Sequence, residues 1–318
     1  MEFLLESEEG VIPVAHPKRT VSVAPRGTSF AYFRRLGYYL TVAIRQNYFR
    51  KRCIVKKKIC GIPIMIAVLA CLLFCGCAAG QTGAKEETIG IIGAMEEEVA
   101  SLKEDANITR KTKVAEMEFC EGVIDDQKVV IVQCGMGKVN AGICAHTLIN
   151  KFGCTKIINT GVAGSLDNQL EIGDIVVSTD AVQHDFTVEA IGFEKGEIPY
   201  TKRVGFPADE NMRKEAVEAA KEAAPGVHVY EGRVCSGDQF ISTREQKNEI
   251  TSNYGGMCCE MEGGAVAQVC YLNNTPFVVI RAVSDKEDGS SHVEYETFKA
   301  EAARNCADIV RYMVAAHS

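Results

Sequence analysis

Two β-branched runs far apart in the chain both end in carboxylates. One is Gly90-Ile91-Ile92-Gly93-Ala94-Met95-Glu96-Glu97-Glu98, the other Val278-Val279-Ile280-Arg281-Ala282-Val283-Ser284-Asp285. A buried strand that stops at an acid holds that acid rigidly, and two such ends facing one pocket make an acid–base pair for a small molecule. A third acidic motif, Glu260-Met261-Glu262, sits in an apolar neighbourhood ahead of Gly263-Gly264-Ala265. Buried carboxylates need partners, and a ribose diol is a suitable one. Each motif also has a plain structural reading. Glu96–Glu98 could be the solvated first turn of a helix, stabilised by its dipole, and Arg281 with Asp285 could be a structural ion pair.

The glycine-rich stretches Gly135-Met136-Gly137-Lys138 and Thr160-Gly161-Val162-Ala163-Gly164 follow strands and read as turns. Backbone amides in such turns can hold anions or sugar oxygens. Neither completes a dinucleotide or P-loop fingerprint, so no cofactor is expected. The cysteines show no paired spacing with histidine, so no metal is expected. His184-Asp185 and His292 read as structural or rim residues, and Cys258-Cys259 as strand filling.

These motifs need elements to carry them. Strands are expected over 88–94, 127–134, 156–159, 174–178, 227–236 and 277–283. Helices are expected over 95–103, after Lys138, and over 211–224, 264–271 and 298–314. Strand and helix alternate, which predicts an α/β domain over 87–318: a three-layer α/β/α sandwich around a mixed, mostly parallel sheet. Ligands of such sheets sit beyond the carboxyl ends of the strands, where every motif above lies.

The 318 residues carry a net charge of −7, unevenly spread. Twelve Lys/Arg against four Glu give the first 80 residues +8 and leave the remainder at −15. So acidic a main domain argues against a nucleic-acid partner. Within residues 51–80 a Lys/Arg cluster precedes the uncharged run Ile59–Gly76, which ends at Cys77. This is the layout of a secretory signal or membrane anchor. Gly76-Cys77 resembles a bacterial lipoprotein cleavage site, with Cys77 as the lipidated residue and Phe74 where leucine is usual. Retention of the positive charge in the cytoplasm would put the acidic domain outside, although a cytoplasmic domain is the alternative. Residues 1–50 lack periodicity and are expected to be disordered or an over-extended start.

In order, the motifs of the main domain resemble those of the 5′-methylthioadenosine/S-adenosylhomocysteine nucleosidases, in the purine nucleoside phosphorylase superfamily. The resemblance runs from about Thr88 to the last helix. It implies hydrolysis of the N-glycosidic bond of an adenine thio-nucleoside in methionine salvage. It implies Asp285 as the general acid at purine N7, positioned by Ser284, and Glu98 as the residue that orients and activates water. Glu262, beside Glu260, would hold the ribose hydroxyls over Met261. Phe240 would stack on adenine and the Ile241 backbone would read its edge. Ala163, Gly164, Met95, Met136, Tyr295 and Arg281 would line the pocket as substrate-binding residues. Relatives are homodimers in which a loop like 187–199 reaches the partner's pocket. Val162 stands where a small polar residue is common in that family, and Ile191 where an aromatic is common. Phosphorolysis, hydrolysis of another nucleoside such as futalosine, and a non-catalytic nucleoside-binding lipoprotein remain as alternatives. The hydrolytic reading has its own chemical logic: an acidic pocket stabilises an oxocarbenium-like sugar, and protonation improves the departing base.

Overall fold

The computed structural model describes residues 87–286 and 291–316. The expected signal or anchor at 51–80 with Cys77, and the stretch 1–50, lie outside the described residues. Among the described residues, no helix is long and apolar enough to cross a membrane.

Among the described residues, ten strands and six α-helices follow one another, with strand and helix alternating over much of the domain. The strands are β1 (Thr88–Gly93), β2 (Arg110–Val114), β3 (Met117–Ile124), β4 (Gln127–Gln133), β5 (Lys156–Ser165), β6 (Ile175–Gln183), β7 (Gly205–Pro207), β8 (Val229–Ser236), β9 (Cys258–Glu260) and β10 (Phe277–Asp285). The helices are α1 (Glu96–Asp105), α2 (Lys138–Asn150), α3 (Glu210–Ala223), α4 (Arg244–Tyr254), α5 (Gly263–Asn273) and α6 (Ser291–Ala315).

All strands join one mixed sheet. Its centre is parallel, with β4, β1, β5 and β10 side by side, and antiparallel pairs flank it. Because β5 pairs with β10 along one edge and with β9 near its end, the path β5–β10–β6–β8–β9 returns to β5 and closes a ring. The side-chain period of two sorts each central strand between two cores. On β10, Phe277, Val279 and Val283 join the core under α2 and α5, while Val278, Ile280 and Ala282 join the one under α1, α3 and α6. A smaller cluster of Leu166, Val182, Cys235, Ile241, Ile250, Tyr254 and Cys259 fills the space beneath α4.

Local chemistry sets the boundaries. Asp209 caps α3 by accepting from Asn211 and Met212 N–H, both at 3.0 Å. Thr243 caps α4, and Gly255 ends it in the left-handed conformation. The β2–β3 and β3–β4 hairpins turn on Ala115-Glu116 and Asp125-Asp126, all four at positive φ, as two-residue turns matching strand twist require.

Two expectations need correction. Thr160–Gly164 is not a turn: β5 continues through it to Ser165, because β10 pairs with it residue by residue. β10 likewise runs two residues further, to Asp285. Cys258 and Cys259 are buried strand residues, and no disulfide joins the nine described cysteines.

Candidate active site

The site is built at the carboxyl ends of β1, β4, β5, β8, β9 and β10. Glu98 is the third residue of α1, directly after β1, and is buried. Its Oε2 accepts from Ala94 N–H at 2.6 Å and Met95 N–H at 2.9 Å, and its Oε1 accepts from Val162 N–H at 3.1 Å. Burial raises the carboxyl above its ordinary range, more than Arg281 and these three N–H groups lower it. A carboxyl so held is fixed in place and has raised proton affinity.

Asp285 reaches the same cleft by a backbone irregularity. The register between β10 and β5 shifts between Val283 and Asp285, so Asp285 pairs with Gly164 while Ser284 is the extra residue. Such a bulge re-aims side chains. Here the Ser284 hydroxyl donates to Asp285 Oδ1 at 2.8 Å and also lies 3.3 Å from the Ala163 carbonyl. Asp285 is 2% exposed, a carboxyl shielded from bulk water yet lining the cleft.

Glu262 follows β9 and accepts from Gly137 N–H at 2.8 Å. Gly137 presents that N–H from a positive φ of 99°, which explains the glycine. Burial, then the neighbouring Glu260 charge, push the Glu262 carboxyl up to about 8, against the opposing pull of Arg281 and the Gly137 amide.

Thirteen of the fourteen catalytic and substrate-binding residues expected from sequence line a single cleft: Glu98, Ser284, Asp285, Met95, Met136, Ala163, Gly164, Phe240, Ile241, Glu260, Met261, Glu262 and Tyr295. The Phe240 and Tyr295 rings meet edge-on at 5.6 Å between centroids, and Tyr295 Oη donates to Met95 Sδ at 3.0 Å. Ala94, Val162, Gln239 and Cys259 also line the cleft.

Arg281 does not line it. Its guanidinium is fully buried one layer behind, where it pairs with Glu260 and donates to Asn159 Oδ1 at 2.7 Å and the Asn159 carbonyl at 3.1 Å. The ion pair considered with Asp285 is thus made with Glu260. Burial opposes its charge, but Glu260, Glu262 and Glu98 outweigh that and hold it firmly protonated. Glu260 in turn accepts from the Ser236 hydroxyl and from the Glu262 and Gly263 amides, fixing the backbone that carries Glu262. Asn159 and Ser236 belong to the motifs that carry the resemblance but are not among the expected site residues, because single polar residues inside strands look like ordinary strand positions.

His184 and Asp185 lie outside the cleft lining, at its edge. Asp185 joins a ring of contacts between two cleft loops. It accepts from Lys138 Nζ at 2.5 Å and from Asp238 N–H at 2.9 Å, while Asp238 accepts from Lys138 N–H at 2.8 Å. Among the described residues, no group of His, Cys, Asp or Glu is arranged to hold a metal ion.

A family model described as the phosphorylase superfamily matches residues 88–315. A 5′-methylthioadenosine/S-adenosylhomocysteine nucleosidase of Staphylococcus carnosus (strain TM300) is 40% identical over 227 residues, which are 71% of this chain and 98% of that protein. The crystal structure of the enzyme of the same name from Neisseria meningitidis, in complex with methylthio-immucillin-A, is similar with a TM-score of 0.70 and 34% identity, over 72% of this chain and 99% of that one. Futalosine hydrolase of Helicobacter pylori strain 26695 is similar with a TM-score of 0.68 and 31% identity, over 72% and 97%.

Proposed function

The chain belongs to the phosphorylase superfamily and, within it, to the 5′-methylthioadenosine/S-adenosylhomocysteine nucleosidases, and on that premise we propose how its cleft hydrolyses the N-glycosidic bond of those nucleosides to release adenine. The observation that carries the proposal is that Glu98, Glu262 and Asp285 share one cleft, each carboxyl anchored by an N–H or O–H donor.

Asp285 enters as the acid and gives its proton to purine N7 as the C1′–N9 bond breaks. Positive charge builds on the ribose, and the acidic wall stabilises it. Glu98 accepts a proton from water as the water oxygen bonds to C1′. The products are adenine and the free thio-sugar. Asp285 is left as carboxylate and Glu98 as carboxylic acid, and exchange with solvent restores both. Glu262 holds the ribose hydroxyls, Met261 packs below the sugar, and Phe240 stacks on the base beside the Ile241 backbone.

Water is favoured over phosphate as the nucleophile. Among the described residues, no Lys, Arg or His lines the cleft. Glu98 would repel a phosphate anion, and Val162 offers it no hydroxyl. Adenine release from 5′-methylthioadenosine in phosphate-free buffer tests this, and a strict phosphate requirement would refute it.

Assembly as a homodimer fits the surface. Val139 is 72% exposed, Leu272 60% and Ile191 72%, so α2, α5 and the 187–199 loop each offer an apolar side chain that a partner copy could cover. Anchoring through residues 51–80, with the domain outside the membrane, rests on the Lys/Arg cluster, the apolar run and Cys77 in the sequence.

A further inference from the structure

Lys247 is a charged residue buried where charge is costly. It sits on α4 with 7% of its surface exposed, and lysine is almost never so buried without a role for its ammonium. Its Nζ donates to the main-chain carbonyl of Lys286 at 2.9 Å. Lys286 is the residue immediately after Asp285. Its N–H, part of the Asp285–Lys286 peptide, donates to Glu294 Oε2 on α6 at 2.9 Å. Its own ammonium donates to the Leu170 carbonyl and pairs with Glu171 at 3.0 Å.

Three separate parts of the fold therefore hold the residue that follows the acid. The arrangement is needed because β10 has just left regular pairing through its bulge at Ser284, so the ladder alone no longer fixes the chain. We infer that Lys247, together with Glu294, is a positioning residue for Asp285: it pins the Lys286 carbonyl and so sets the distance from the Asp285 carboxyl to the departing base. The same contact ties the acid to the base-binding loop, because Phe240 and Ile241 directly precede α4. Glu294 does the equivalent from the other side, next to Tyr295 of the cleft wall. The inference rests on the reading of Asp285 as the acid at N7.

The test is steady-state kinetics of Lys247→Met and Glu294→Ala on 5′-methylthioadenosine, beside the wild type and Asp285→Asn. A displaced general acid loses much of its contribution of about 10²–10⁴-fold. Lys247→Met is therefore expected to lower kcat by about 10- to 100-fold with KM changed less than about 3-fold. Glu294→Ala, at a half-buried site, shows the same pattern more weakly and decides the matter should Lys247→Met not fold. Introduced into Asp285→Asn, Lys247→Met adds almost nothing, since it acts through a group already removed. Unchanged kcat in both variants, a parallel rise in KM, or the full loss repeated in the Asp285→Asn background would overturn the inference. Absence of adenine release by the wild type would instead overturn the reading of the site on which it rests.

Discussion

Gly161 stands against the Glu98 carboxylate so closely that a Cβ at position 161 would overlap Oε1 and lie 2.8 Å from Cδ. The glycine in the middle of β5 is thus an allowance for the carboxylate, which bonds the very next amide, Val162 N–H.

Gly161→Ala should therefore push Glu98 off its three donors. A shift of about 1 Å in a catalytic group costs about 10²-fold, so kcat is expected to fall at least that far. Steady-state assay of the folded variant measures it, and near-normal turnover would contradict the close fit.

Glu262 makes stability depend on pH. Unfolded, its carboxyl titrates near 4.5, and folded at about 8. The native state keeps a proton that the unfolded chain releases between those values. This contribution is complete below about 4.5 and is lost as pH rises through about 8. Thermal unfolding scanned across that window should show Tm of the wild type falling. Glu262→Gln should flatten the slope, leaving the share of Glu98, which is raised in the same direction.

The buried Arg281 guanidinium is held charged by the neighbouring carboxyls of Glu260, Glu262 and Glu98. Removing one partner of a buried ion pair leaves a charge stranded and costs about 3–5 kcal/mol. Arg281→Met should lose stability of that order in denaturant titration, whereas an exposed arginine replaced by methionine would lose little.

Lys138→Met opens the ring through Asp185 and Asp238 that joins the Met136 and Phe240 loops. Burial pulls the Asp185 carboxyl up, but Lys138 and the Asp238 N–H outweigh it and hold it below its ordinary value. With the ring broken, the loops to which the proposal assigns the base and sugar loosen. KM for 5′-methylthioadenosine should rise about 10-fold with kcat little changed, the mark of lost uniform binding.

Where the sequence could be read, hydrophobic runs carried the information. β1, β4 and β10 are continuous β-branched stretches because helices cover both faces, and the acids at their ends were visible for that reason. The β2–β3 hairpin was not, since Arg110-Lys111-Thr112-Lys113-Val114 is a polar edge strand and Ala115-Glu116 lacks a glycine turn signal. α4 was also missed. Only Ile250 and Tyr254 mark its apolar face, and Lys247 is buried there despite its charge. Thr160–Gly164 looked like a turn because glycine weakens strand patterns, yet its glycine at 161 serves the approach of Glu98. The cleft residues were legible as motifs; the second layer of Asn159, Ser236 and Arg281 depended on which strands became neighbours.

The most direct measurement is adenine release from 5′-methylthioadenosine without phosphate by the wild type, Glu98→Gln and Asp285→Asn, with nucleoside binding measured in parallel. The account predicts turnover by the wild type, and at least about 10²-fold slower release by each variant with binding largely retained. Near-wild-type release by either variant would contradict the role given to that carboxyl.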